Sequence, residues 1–256
     1  MIKYIFLLFI FVSSIFANVL KSPIIGVDDS LNEATIKIEM VNVGMSGFII
    51  HSLAEGHGTV LKEIVVTKYD EKNKIATLKM SDFELLKQNS LPKGQWQVEA
   101  GDTALLAFGY SRALLIAPNE EIFHRTTKAS EGIQWVHPDI FAAILSINGH
   151  PSPQKKDFDE MADSASVGVL FFFINKKLFT VDSKTFKLLN ISDAPLKDDD
   201  KQLPFYSRVL EIDEAWWGAG SNPIKEYEPY YYELLLEFNE ENKELLKLYE
   251  EFKNKK

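Results

Sequence analysis

The stretch VGVLFFFINKKLFTVD, residues 167–182, decides the fold. Its first half is apolar without interruption over 167–174, so it does not read as a strand with one wet face. It predicts a strand buried on both faces or at the centre of a sheet. Asn-Lys-Lys at 175–177 supplies turn chemistry, and LFTVD at 178–182 returns as a second strand. A strand with no polar face needs covering layers, and the flanking sequence offers them. Asn119 is placed to cap EEIFHRTTK, Pro138 fits the first turn of PDIFAAILSI, and SPQKKDFDEMADSA reads as a third helix. With ALLIAP (113–118) and IQWVH (133–137) as further strands, residues 118–200 predict a compact α/β layer. It ends near NISDAP (190–195) and runs into the polar connector LKDDDKQ.

Residues 18–117 have a different texture. ATIKIEMV, GFIIHSL, VLKEIVVTKY and IATLKM alternate apolar and polar residues between turn signals, the mark of short half-buried strands. An internal echo predicts duplicated hairpins: Asp29, Asn32 and ATIKI return as Asp70, Asn73 and ATLKM with one residue inserted. A short helix is expected from Ser81 to Asn89, with Ser81 as cap, Glu84 three residues on, and Phe83, Leu85 and Leu86 as its apolar face. The fold class expected is α+β: a mostly antiparallel β-barrel or sandwich, then the α/β layer, then a projecting C-terminal helix.

The first 17 residues, MIKYIFLLFIFVSSIFA, place one charge at Lys3 before an apolar run and small residues leading to Ala17, the pattern of a secretory signal peptide. With no basic stop-transfer flank, no stable membrane span is expected once it is removed. The location expected is therefore outside the cytoplasm: cell surface, outer-membrane-associated or periplasmic. Loss of Lys3 takes the formal charge from −9 to −10, which excludes a phosphate-tracking basic surface and, with it, nucleic acid as partner. There is no cysteine, so neither a disulfide framework nor a lipid-attachment thiol exists, and a packed core must hold the fold.

Residues 201–228 are aromatic-rich, and EYEPYYYELLLEF follows. Trp and Tyr join an apolar body to a polar tip and serve cores and interfaces alike. Trp216, Trp217, Tyr230, Tyr231 and Tyr232 are the candidate protein-interface residues, against the alternative that they cover the sheet. From Pro229 to the end, Leu234, Phe238, Leu245, Leu248 and Phe252 form a heptad-like stripe in one charged helix, with Glu241 in the seam. The last residues in this stretch include Lys253, Lys255 and Lys256, which complement a helix C-terminus.

Catalytic motifs are weak. GMSGF at 44–48 lacks the second glycine spacing of a nucleophile elbow, and GHG at 56–58 opens no helix and cradles no phosphate. The five histidines match no metal-ligand spacing, so no metal and no cofactor are expected. The carboxylates, including Asp198 to Asp200, read as solvated turns and linkers. The expectation is a protein that is not an enzyme.

The stretches VGMSGFIIH, FGYSRALLIAPNEEIF, WVHPDIFAAILS, GHPSP, VGVLFFFINKKLFTVDSKTFKLLNIS, LPFYSRV and YEPYYYELL resemble the N-terminal domain of the bacterial plasminogen-binding PgbA family, from about Pro23 to Leu236. The resemblance implies an exported envelope or surface protein that recruits host plasminogen, and it carries no catalytic residue across. It also implies recognition through a C-terminal lysine. A kringle lysine site pairs an anion with the ε-ammonium and a cation with the α-carboxylate, which assigns Lys256 as contact and Lys255 as supporting charge. Two other classes stay open from the residues themselves. One is a structural or assembly component of the envelope contacting other envelope proteins through the aromatic region. The other is an envelope hydrolase, for which His51, His57 and His137 would have to converge.

Overall fold

The computed structural model describes residues 19–83, 96–130, 132–197, 199–209 and 211–254. Six strands open the chain: β1 (Leu20–Asp28), β2 (Glu33–Lys37), β3 (Ser46–Ala54), β4 (His57–Asp70), β5 (Ile75–Asp82) and β6 (Thr103–Leu106). They close into an antiparallel barrel in the order β1-β2-β5-β4-β3-β6, with β6 pairing back onto β1. Alternation explains the wall: Ile24, Ile36, Ile49, Ile64, Val66, Leu78 and Leu106 point inward and are almost fully buried. Register shifts in β1, β3 and β4 add the bends a closed sheet needs. The α+β class and the antiparallel barrel agree with the sequence reading.

The hairpin echo is present, with its register corrected. The turn carboxylates are Asp28 and Asp70, not Asp29 and Asp70. Asp28 Oδ1 accepts from Ser30 N and Leu31 N at 3.0 and 3.2 Å, and Asp70 Oδ1 from Lys72 N and Asn73 N at 3.0 and 3.1 Å. Asn32 and Lys74 then take left-handed φ values of 51° and 57°. With Asp28 as the start, the two turns match without an insertion. β2 and β5 pair with Thr35 opposite Thr77, so the two hairpins meet at equivalent residues.

The second sheet contains β7 (Arg112–Ile116), β8 (Gln134–Val136), β9 (Val169–Ile174), β10 (Lys177–Asp182) and β11 (Leu188–Asp193), in the order β11-β10-β9-β7-β8. β7 runs parallel to β8 and β9, while β9, β10 and β11 form an antiparallel meander. β7 therefore belongs to this sheet, and the two sheets divide between Leu106 and Arg112 rather than after Ala117. The helices are α1 (Glu120–Ala129), α2 (Pro138–Asn148), α3 (Lys155–Ala165), α4 (Tyr227–Phe238) and α5 (Lys243–Asn254). Asn119 Oδ1 accepts from Ile122 N at 2.9 Å and starts α1.

The apolar run of β9 has a direct cause. All six of its residues are buried. Val169, Phe171 and Phe173 join the core that continues into the barrel and α1. Leu170, Phe172 and Ile174 face the other core, with Phe141 of α2, Phe158 of α3 and Tyr231 of α4. At roughly 1.5–3 kcal/mol per buried side chain of this size, the strand joins the two layers. Asn175 and Lys176, both at positive φ, make the two-residue turn into β10.

Ser81 lies within β5, paired with Glu63, so it caps no helix; residues 84–89 of the expected helix lie outside the described residues. So does the expected signal peptide at 1–17. The expected single C-terminal helix is two. Asn239 ends α4, and Asn242 Oδ1 accepts from Leu245 N at 2.9 Å to start α5, with Glu241 exposed in the turn between them. The stripe from Leu234 to Phe252 packs on this chain's own second core rather than projecting. The asparagines that interrupt the helix outweighed the continuous periodicity.

Candidate functional site

The C-terminal end is set by α5. Its buried side carries Leu245 and Tyr249, and its outer side carries Lys247, 3.8 Å from Glu251. Lys253 Nζ lies 4.0 Å above the Tyr249 ring, and hydrogen bonding to Tyr249 raises the ammonium pKa above its ordinary value. Lys255 and Lys256 lie outside the described residues.

The five aromatic candidates separate. Tyr231 and Tyr232 are fully buried, and the Tyr231 hydroxyl donates to Pro204 O at 2.8 Å. Tyr230 is half-buried and donates to Pro153 O at 2.7 Å. Burial drives the Tyr230 and Tyr231 phenols far above their ordinary range and pushes Tyr232 up to about 12. Tyr231 and Tyr232 fasten α4 to the sheet, against Phe172 and Phe179, and Tyr230 ties it to the segment before α3. Trp216 and Trp217 behave oppositely, at 98% and 83% exposure. The tyrosines stand on α4, whereas the tryptophans stand in the loop before it.

A cleft of about 640 Å³ opens between the barrel and α3. Phe48 of β3 and Phe108 meet edge-on there, with ring centres 5.5 Å apart. Lys184 Nζ is 2.5 Å from Glu63 Oε1 and 5.9 Å from the centre of the Phe48 ring, while Lys155 holds Asp159 at 2.7 Å. Each lysine lining the cleft is thus already held by a carboxylate: the Lys184–Glu63 pair ties the loop after β10 to the barrel, while Lys155 and Asp159 lie one turn apart on α3 itself. These residues come from segments far apart in the chain, and no local motif announces them.

The three histidines that a hydrolase would need do not meet. His51 Nδ1 is 2.7 Å from Asp102 Oδ1 on the barrel, and its ring stacks on Trp96. His57 is exposed at the start of β4. His137 caps α2, accepting from Asp139 N at 3.3 Å. Asp139 is held below its usual range: burial opposes this, but hydrogen bonds from Arg208 and the charge of His137 outweigh it. Among the described residues there is no group of three or more His, Asp or Glu placed to hold a metal ion, and no helix is long and apolar enough to cross a membrane.

Comparison with known proteins places the chain in a family. The plasminogen-binding protein PgbA of Helicobacter pylori strain J99 is 28% identical over 194 residues, and that of strain 26695 is 27% identical over the same length. Each alignment covers 75% of this chain and 42% of the relative, so the chain aligns with less than half the length of these curated relatives. No solved structure matches significantly. Residues 19–235 match the family described as plasminogen-binding protein pgbA N-terminal, spanning the barrel, the second sheet and nearly all of α4, and the chain belongs to that family.

Proposed function

We propose that this protein is an exported envelope or surface protein that binds host plasminogen through lysine, with Lys256 as the contact and Lys255 as its supporting charge. The observation that carries the reading is the family match over residues 19–235, together with relatives named for plasminogen binding. The chemistry is consistent with it. A lysine side chain presents an ammonium on an apolar stem, and α5 places Lys253 at the surface two residues before Lys255 in sequence. The acidic body leaves net negative charge elsewhere, so diffuse attraction to an anionic partner is not the mechanism. Export follows in this reading from residues 1–17 acting as a cleaved signal.

The test is binding of the purified chain to immobilised plasminogen, with 6-aminohexanoate as competitor. Binding falls with the competitor and with Lys255→Ala/Lys256→Ala. One uncharged residue added after Lys256 keeps both ammonium groups but moves the carboxylate, and weakened binding there assigns the terminal-lysine mode. Unchanged binding in the double variant removes Lys255 and Lys256 from the contact. Absence of binding by the parent chain removes the reading altogether.

A further inference from the structure

We propose that Trp216, Trp217 and Ile147 form a docking tip for a zwitterionic lipid surface. Three large apolar side chains stand in water here: Trp216 at 98%, Trp217 at 83% and Ile147 at 83% exposure. The loop that carries the two indoles is fastened rather than loose. Ala215 N donates to Gly149 O at 2.9 Å and Ser152 N to Gly220 O at 3.1 Å, so both feet of the loop are tied to the segment between α2 and α3. Ser146 Oγ exchanges hydrogen bonds with Asp213, to the carboxylate at 2.8 Å and from the backbone N–H at 3.1 Å. A Cβ at Gly149 would lie 2.6 Å from Ala215, which explains the glycine and shows how closely the loop crosses the end of α2. Ile147 belongs to the same turn of α2. The hydrogen bonds thus hold the stretch that leads into the two indoles against the last turn of α2, which carries Ile147.

Size and charge select the occupant. Indoles bury about 150–250 Å² each, so the tip offers well under the roughly 800 Å² per partner of a standard protein interface. Insertion at a lipid–water boundary needs only a few such groups, and the indole, apolar with one N–H, is the side chain enriched there. Glu211, Asp213 and Glu214 are all exposed just before the tip. They repel anionic headgroups within a Debye length of about 10 Å, which leaves zwitterionic lipid as the matching surface.

The experiment is sedimentation of the full chain with phosphatidylcholine–phosphatidylethanolamine vesicles, read alongside tryptophan emission. The chain has four tryptophans, of which Trp96 and Trp135 remain as internal references in Trp216→Ser/Trp217→Ser. The parent pellets with vesicles and its emission shifts to shorter wavelength. The double variant loses affinity by about tenfold or more, Ile147→Ser loses a smaller factor, and adding phosphatidylglycerol weakens binding. Single Trp216→Ser and Trp217→Ser variants give the same reading if the pair disturbs the loop. No pelleting of the parent, unchanged pelleting of the variants, or stronger binding to phosphatidylglycerol overturns the proposal. So does a substitution that lowers the sedimenting mass in the absence of lipid, which would assign the tip to a protein contact. None of these outcomes depends on plasminogen binding.

Discussion

Ser46 gives Asp182 both of its donors, the backbone N–H at 2.9 Å and the hydroxyl at 2.6 Å, across 136 positions of chain. The bond ties β3 of the barrel to the end of β10. The same carboxylate, fully buried, also accepts from the Tyr110 hydroxyl at 2.6 Å and from Lys184 N and Thr185 N at 3.0 and 2.8 Å. The carboxylate is tolerated there because its oxygens are surrounded by neutral donors.

Asp182→Ala leaves those donors buried without an acceptor. At about 1–3 kcal/mol for each group left unsatisfied, and with partial relaxation, the substitution should destabilise the protein by roughly 3 kcal/mol or more. Urea unfolding measures it. A loss under about 1 kcal/mol would mean that water replaces the carboxylate and that the joint is less dry than the geometry indicates.

Gly47→Ala tests barrel closure. A Cβ at Gly47 would lie 2.0 Å from Leu105 O, a backbone atom of β6, and strands β3 and β6 are neighbours in the closed sheet. Backbone cannot swing aside as a side chain does, so one strand must move. The expected cost is about 1–3 kcal/mol, with the loss concentrated in amide-exchange protection of β6 and of the β1 strand beyond it. Uniform protection in the variant would show that the barrel absorbs the clash elsewhere.

These joints mark the limit of what the sequence discloses. The continuous run in β9, the Asn119 cap and the alternating barrel strands were legible because each rests on local periodicity or on a capping residue. The duplicated turns were legible in kind but displaced by one residue, since Asp28 and Asp29 are adjacent and only the hydrogen bonds distinguish them. Helix continuity through Glu240 and Glu241 was misleading, because good helix formers there are flanked by Asn239 and Asn242, which bond to the backbone. Asp182, Glu63 and Lys184 carried no signal at all: their partners lie many residues away, and one chain gives no register between distant segments.

Asn239 separates the two C-terminal helices and should be costly to remove. Its amide donates to Phe186 O at 3.0 Å and Leu235 O at 2.8 Å, and its oxygen accepts from Leu188 N at 2.8 Å. Asn239→Ala strands buried backbone groups of both α4 and β11, for an expected loss of about 2 kcal/mol. Asn239→Asp keeps the acceptor but sets a buried carboxylate oxygen against Phe186 O and Leu235 O, and should cost at least as much at neutral pH. Thermal midpoints of the three proteins decide it, and an alanine variant as stable as the parent would show that α4 does not depend on this latch.

Alkaline titration probes the tyrosines that fasten α4. Burial raises the phenol pKa of Tyr110, Tyr230, Tyr231 and Tyr232 in the folded state, the Asp182 charge adding to the effect at Tyr110, while an unfolded tyrosine ionises near 10. A group raised in this way contributes stability that is fully present below pH 10 and is lost as pH climbs from 10 through the folded value, about 12 for Tyr232. Ultraviolet titration of the phenolates should therefore show one fraction ionising near pH 10 and a second that appears only together with loss of near-ultraviolet circular dichroism. Tyr231→Phe deletes one late phenol but also the bond to Pro204 O, so it should shrink the second fraction and lower stability at neutral pH by about 1 kcal/mol. A single smooth titration near pH 10, with the fold intact, would mean that these rings reach water and that α4 is held by its leucines alone.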